Sequence, residues 1–253
     1  MKTDTSLLKA ILLVNVLSLS LSSVLTLGVV IGIGIFFFNE KTIVVPDDED
    51  TIQDAVNAAV PGDIILVKTK EDGTSYNEEV TIDKDDLKLI GIGKEKPVLD
   101  GTGVIGTGNG ITLTSTASGV LVKNFIVQKF EKDGIFLDGS TSNMIIENNL
   151  IRNEEKGIEL DDSNSNTIKK NNLIENEDFG IGLDNSSSNM IIRNTVKENG
   201  DSGIFLNSIS INNDVFSNRA FDNQNFDIED DDANNFKGNK CGTSQGLNVD
   251  CPK

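Results

Sequence analysis

The chain contains no histidine and no tryptophan, and only two cysteines among 253 residues. Without histidine it lacks the usual general base of neutral pH and a common transition-metal ligand. Positive charge is scarce as well: 22 Lys and Arg stand against 40 Asp and Glu, a net charge of -18. Such a surface repels nucleic acid and anionic lipid head groups, so neither is an expected partner, and cations or basic partners are its complement. The same acidity also serves as a plain solubility device. The two cysteines, Cys241 and Cys251, sit at the extreme C-terminus with no additional soft ligands to make a metal pair. In an oxidising compartment they are expected to form a disulfide that clips down the chain end. Closing so short a loop contributes ~2–3 kcal/mol at most.

What the chain does have, at its start, is an uncharged and largely apolar run of 29 residues from Ala10 to Phe38. That exceeds the roughly 20 residues needed to span a bilayer and the roughly 7–15 of a signal-peptide core. No A-x-A-like cleavage site follows Ala10, and Lys2 and Lys9 precede the run, which favours a cytoplasmic N-terminus. Residues 1–39 are therefore expected to be a cytoplasmic tip and signal anchor, touching the membrane through residues 10–38. Residues 40–253 are then extracytoplasmic. A cleaved signal peptide is the alternative and leaves them in the same place.

A repeat dominates the rest. A Gly-Ile pair recurs at Gly110, Gly134, Gly157, Gly180 and Gly203, and then as Asp227-Ile228, in steps of 23 or 24. Asn124, Asn148, Asn171, Asn194 and Asn218 form a second register, and Asn153, Asn176, Asn199 and Asn223 a third. Three agreeing registers indicate a solenoid. Within the copy "GIELDDSNSNTIKKNNLIE", Ile158 and Leu160 alternate with Glu159, the two-residue period of a half-buried strand. Three strand-like pieces separated by Ser, Asn, Asp and Gly corners make one coil of a parallel β-helix. Stacked about 4.8 Å apart, the Asn amides of the second register can hydrogen-bond along the axis, while Ile135, Ile158, Ile181 and Ile204 fill the interior. Regular coils are expected over 110–239, with a C-terminal tail over 240–253. Upstream, "TIQDAVNAAV" (51–60) places Ile52, Ala55, Val56 and Ala59 on one face of a short helix suited to capping an open end.

The segments "DTIQDAVNAAVPGDIILV", "YNEEVTI" and "LKLIGIGKEKPVLDG", followed by Asn-bearing coils, resemble the right-handed parallel β-helix proteins of the pectate-lyase-like superfamily. The resemblance runs from residue 42 to about 251. It implies an all-β, single-stranded right-handed parallel β-helix whose G-I-x-L strands floor a substrate groove. It also implies a polysaccharide-acting or polysaccharide-binding protein, since the superfamily holds lyases, hydrolases, uronan epimerases and accessory binders.

Around the G-I-x-L strands the acids are periodic. Asp138, Asp161 and Asp184 follow successive strands, with Asn207 next in the series; Glu155, Asp178 and Asp201 precede them, and Asp133 adjoins Gly134. Stacked carboxylates repel, so Asp138, Asp161, Asp184, Asp178 and Asp201 are candidate ligands for Ca²⁺, which favours oxygen donors. They serve equally as turn residues. The outward strand positions Phe136, Glu159 and Phe205 are candidates for sugar contact, rings for stacking and the acid for hydroxyls; overlying turns that cover the rings are the alternative. By resemblance to polygalacturonase-like hydrolases, Asp133 and Glu155 are the candidate acids. Departures from that pattern stand at Lys156, where a second acid belongs, and at Phe179, where a His belongs. Lyases of the superfamily use Arg or Lys, for which Arg152, Arg193, Lys132 and Lys156 are available without a complete signature. The leading expectation is an extracytoplasmic binder of a carbohydrate or envelope polymer, with or without Ca²⁺. A lyase or hydrolase, and a rigid spacer or protein-binding solenoid, are the alternatives.

Overall fold

The computed structural model describes residues 40–106, 108–231, 234–246, 249 and 251, with backbone alone at 26–27 and 37–38. The apolar run at 10–38 otherwise lies outside the described residues; within it Thr26–Leu27 pairs antiparallel with Phe37–Phe38. Among the described residues no helix is long and apolar enough to cross a membrane.

From Thr42 to Gln245 the chain winds into three parallel sheets of eight, nine and six strands. In the coil that begins at Gly157, Ile158–Asp161 lies in sheet 1, Thr167–Lys169 in sheet 2 and Asn172–Ile174 in sheet 3. Each strand pairs with its counterpart one coil on: Ile158 with Ile181, Ile168 with Ile191, Leu173 with Val196. The strands are three to five residues long across most of the coils, too short to be stable alone, so their stability comes from stacking on the next coil. Inward side chains alternate with outward ones. Ile135, Ile158, Ile181 and Ile204 are completely buried, as are Ile145, Ile168, Ile191 and Leu150, Leu173, Val196 on the other two walls. The glycine column before sheet 1 is imposed by stacking, because a Cβ at Gly157 would lie 2.7 Å from the Gly180 carbonyl oxygen.

The corners carry two devices. Residues just ahead of the buried asparagines adopt left-handed backbone, for example Lys170 (φ 56), Glu175 (φ 54) and Ser165 (φ 61). That conformation costs non-glycine residues roughly 1–2 kcal/mol each. It turns the chain so that the next side chain, an Asn, points inward. Each Asn then satisfies a main-chain N–H that the corner leaves without a strand partner and adds a second donor to a strand carbonyl. Asn171 Oδ1 accepts the Asn148 N–H at 2.9 Å, and Asn171 Nδ2 donates to the Ile145 carbonyl at 2.8 Å. Amide-to-amide bonds along the stack are longer, 3.2 Å from Asn171 Nδ2 to Asn194 Oδ1. The ladder is thus chiefly side chain to backbone. A third Asn ladder, Asn143, Asn166, Asn189, Asn213 and Asn234, lies at the corner between sheets 1 and 2. A Ser ladder of Ser140, Ser163, Ser186 and Ser210 runs beside it.

One expected member does not belong. Asn124 stacks beside Glu147, and Phe125 holds the ladder position, its N–H donating to Asn148 Oδ1 at 2.9 Å. Ile111 pairs with Ile135, a step of 24, whereas Leu121 pairs with Met144, a step of 23. The extra residue of that coil therefore sits in the turn between Leu113 and Leu121, and every position after it is displaced by one. Asn124 Nδ2 donates instead to the Gly91 carbonyl at 2.7 Å.

Helix α1, Ile52–Ala58, packs Ile52, Ala55 and Val56 against the first strands. Its ends are held from the following coil: Glu78 accepts the N–H groups of Ile52 and Gln53, and Lys84 Nζ donates to the carbonyls of Val56, Asn57 and Ala59. These are the free groups of a helix terminus, and the charges match its dipole. At the far end Asp227 closes the Asn223 ladder, accepting from Asn223 with Oδ1 and from the Gly242 and Thr243 N–H groups with Oδ2. Cys241 and Cys251 are joined by a disulfide, with Cα atoms 5.2 Å apart.

Candidate functional site

Sheet 1 presents the outward column Thr112, Phe136, Glu159, Gly182, Phe205 and Glu229, each residue paired with the next. Midway along it lies a pocket of about 180 Å³ lined by Lys156, Glu159, Phe179, Gly182, Leu183, Asp184, Phe205 and Asn207. Gly182 makes this pocket. A Cβ there would lie 2.5 Å from Glu159 Oε2 and 2.9 Å from Lys156 Cδ, so both side chains lean over the glycine from the preceding coil.

Glu159 therefore differs from the exposed acid expected of an outward strand position: it is 8% exposed, folded into the floor. Its Oε2 accepts no hydrogen bond and lies 3.4 Å from Lys156 Nζ. Burial raises the Glu159 carboxyl from an ordinary 4.5 to about 8, outweighing the neighbouring ammonium. Burial pulls Lys156 down, but the carboxylates of Glu159, Asp133 and Asp178 together hold it above its usual value. Its second ion pair, to Asp178 Oδ2, is 3.5 Å long. The pocket thus joins an acid that holds its proton near neutral pH to a cation that keeps its charge.

The apolar wall is a stacked pair. The Phe179 and Phe205 rings have centroids 4.5 Å apart and planes inclined by 17°. Phe205 was expected on the floor from its strand position; Phe179 was not, since it stands outside the G-I-x-L strand. Its signal was the column just before the glycines, Asp133, Lys156, Phe179 and Ser202, which the backbone bonds of Gly134, Gly157 and Gly180 stack in line. Phe136 is half-buried two coils away and does not line the pocket.

The candidate acids separate. Asp133 is 5% exposed and its Oδ1 accepts the Lys156 N–H at 2.9 Å, a structural bond across coils. Burial raises it from 3.8 to about 6. Glu155 belongs to the neighbouring column, following Lys132 and preceding Asp178 and Asp201. Neither Asp133 nor Glu155 lines the pocket.

The proposed calcium ligands form two rows rather than a cage. Asp138, Asp161 and Asp184 pair in register along one margin of sheet 1, and Asp178 and Asp201 stack along the other. Among the described residues no three His, Cys, Asp or Glu side chains converge to hold a metal. The repulsion is instead visible at Asp161, which burial and then Asp162, Asp184 and Asp138 raise above its ordinary value. Asp184 spends one oxygen on Asn207 Nδ2, and Asp162 on Asn185 Nδ2.

Comparison with known proteins finds a family model described as "NosD: Periplasmic copper-binding protein (NosD)", matching residues 44–246. No curated protein sequence matches the chain. Among solved structures it is similar to pectate lyase Pel9A, with 14% identity and a TM-score of 0.63 over 81% of this chain and 62% of that one. It is likewise similar to the periplasmic alginate epimerase AlgG, with 15% identity and a TM-score of 0.59 over 80% of this chain and 55% of that one. A rhamnogalacturonan lyase follows at 11% and 0.51, over 80% of this chain and 74% of that one. The chain therefore spans just over half of the epimerase, and at these identities the likeness is one of fold.

The donor set does not fit copper. The chain has no His, and both its cysteines are tied in the disulfide. Of its three methionines, Met144 and Met190 stand two coils apart on sheet 2 with Thr167 between them. Soft or imidazole ligands are what copper sites use, and here none are gathered among the described residues.

Proposed function

This chain belongs to the NosD family, and we propose that it works outside the cytoplasm as a β-helix that binds a carbohydrate chain along sheet 1. The observation that carries the reading is the Phe179–Phe205 stack beside a small pocket rimmed by Lys156, Glu159, Asp184 and Asn207. Ring faces stack on the apolar faces of sugars, and a few convergent polar groups fix their hydroxyls. The periplasmic label of the family supports the location. The fold shared with proteins named for pectate, alginate and rhamnogalacturonan supports the polymer class.

A Phe179→Ala/Phe205→Ala variant tests it on a glycan array followed by calorimetric titration. Binding to the parent's best glycan is expected to weaken by about tenfold or more, since each ring contributes roughly 0.5–1.5 kcal/mol beyond its buried area. The circular dichroism spectrum should stay that of the parent, because both rings lie outside the tube. A folded variant that binds as well as the parent removes the platform.

Catalysis in the same pocket is the second reading, favoured by a carboxyl protonated near neutral pH beside a lysine. New reducing or unsaturated ends on incubation with the bound polymer would establish it, and binding without them leaves the first reading alone.

A further inference from the structure

We propose that the floor of sheet 1 accepts glycans without carboxylates and rejects polyuronates. The inference rests on the carbohydrate-binding reading and adds the class of chain it admits. Its basis is the pair of acidic rows that flank the floor. On one margin Glu155, Asp178 and Asp201 stack through the Asp178 N–H to Glu155 carbonyl bond, 3.1 Å, and the Asp201 N–H to Asp178 carbonyl bond, 3.2 Å. On the other, Asp138, Asp161 and Asp184 pair residue for residue. The inter-strand spacing puts successive acids about 5 Å apart along each row. A glycan lying on the column runs between both rows, and their repulsion is screened over a Debye length of about 8 Å at physiological salt.

Nothing in the pocket compensates this charge. Among the described residues lining it, Lys156 is the one cation, and its Nζ is already engaged by Glu159 and Asp178. Lys132 heads the first row one coil before Glu155 and does not line the pocket. A bridging divalent cation would reverse the sign locally, yet no three acids converge among the described residues to hold one. The pocket also contains an independent mark of a ligand: Glu159 is 8% exposed and lines it, and its Oε2 accepts no hydrogen bond. A hydroxyl or amino group of a neutral sugar can donate to that oxygen, whereas the charge that turns a uronate away is that of the two rows. Beside it, the Phe179–Phe205 stack offers a surface that needs no charge on the sugar.

The full-length chain is titrated calorimetrically at pH 7 with EDTA present. The probes are neutral hexasaccharides (glucan, mannan, xylan and galactan) and two acidic ones, hexagalacturonate and hexamannuronate. At least one neutral probe is expected to bind, with both uronates weaker by about tenfold or more, a gap that narrows as salt is raised. The variant Asp138→Asn/Asp161→Asn/Asp201→Asn removes three row charges without touching the pocket lining. It is expected to strengthen uronate binding by about fivefold and to change neutral binding less than about twofold. Uronates bound as tightly as the neutral probes, or a gap unchanged in the triple variant, would overturn the selectivity while leaving the binding site in place. Silence from every probe would overturn the binding reading itself, and the selectivity with it.

Discussion

Asn171→Leu is expected to lower the stability of the solenoid by about 3–5 kcal/mol and to shift its urea midpoint accordingly. The two side chains are close in volume, so the loss is polar rather than steric. Asn171 accepts from the Asn148 N–H and Nδ2 at 2.9 and 3.3 Å and donates to the Ile145 carbonyl and Asn194 Oδ1 at 2.8 and 3.2 Å. Leucine leaves the Asn148 N–H buried without a partner, costing roughly 1–3 kcal/mol. It also removes one hydrogen bond each from the Ile145 carbonyl, Asn148 Nδ2 and Asn194 Oδ1, which keep other partners, at roughly 0.5–1.5 kcal/mol apiece. Because each coil contacts only its neighbours, the break divides the tube into two shorter stacks. A smaller urea m-value is therefore expected together with the lower midpoint, as the two halves begin to unfold separately. Asn171→Asp should be little better, since it keeps the acceptor but replaces the donor with a buried charge. A Leu variant within about 1 kcal/mol of the parent would show that the ladder adds little beyond the strand hydrogen bonds.

The pH profile of stability is the second large effect, and Glu159 dominates it. Its carboxyl titrates near 8 in the folded protein against an ordinary 4.5, and burial is the chief cause. Between those values the folded chain holds a proton that the unfolded chain has released. Stability from this group is therefore complete below about 4.5 and is lost as pH rises through 8. Asp133, raised to about 6 from 3.8, adds a loss of the same sign in a lower window. Lys156 is held above its usual 10.5, so its own loss comes only in strong alkali. The unfolding free energy of the parent is expected to fall from pH 5 to pH 8, with a slope approaching about 1.4 kcal/mol per pH unit where one group titrates, and the melting midpoint falls with it. Glu159→Gln carries no titrating proton and keeps the shape, so its midpoint should be nearly level between pH 6.5 and 8. A parent profile that is flat across that window would mean Glu159 is solvated rather than folded over Gly182.

The repeat was legible because its period is a direct consequence of stacking. Residues that occupy one place in every coil face one environment, so Ile158 and Leu160 return as Ile181 and Leu183, and Asn148 returns as Asn171 and Asn194. The Asn143 and Ser140 columns were legible by the same logic but lie inside Ser/Asn tracts, where many residues repeat and the buried ones do not stand out. Asn124 shows the limit of counting. A step of 24 in sheet 1 and of 23 in sheets 2 and 3 arise in the same coil, and only the hydrogen-bond register places the extra residue before Leu121.

The parallel coil, its corners, the buried isoleucine and asparagine columns, and the acidic margins of sheet 1 can all be read along the chain. All of these follow from period and residue type. The pocket exists only in the folded chain. Glu159 and Phe205 share an outward column, yet one is folded down and the other stacks. The difference is set by a glycine in the next coil and by Lys156 and Phe179, side chains from another column. Packing between columns has no period along the chain, so no repeat announces it.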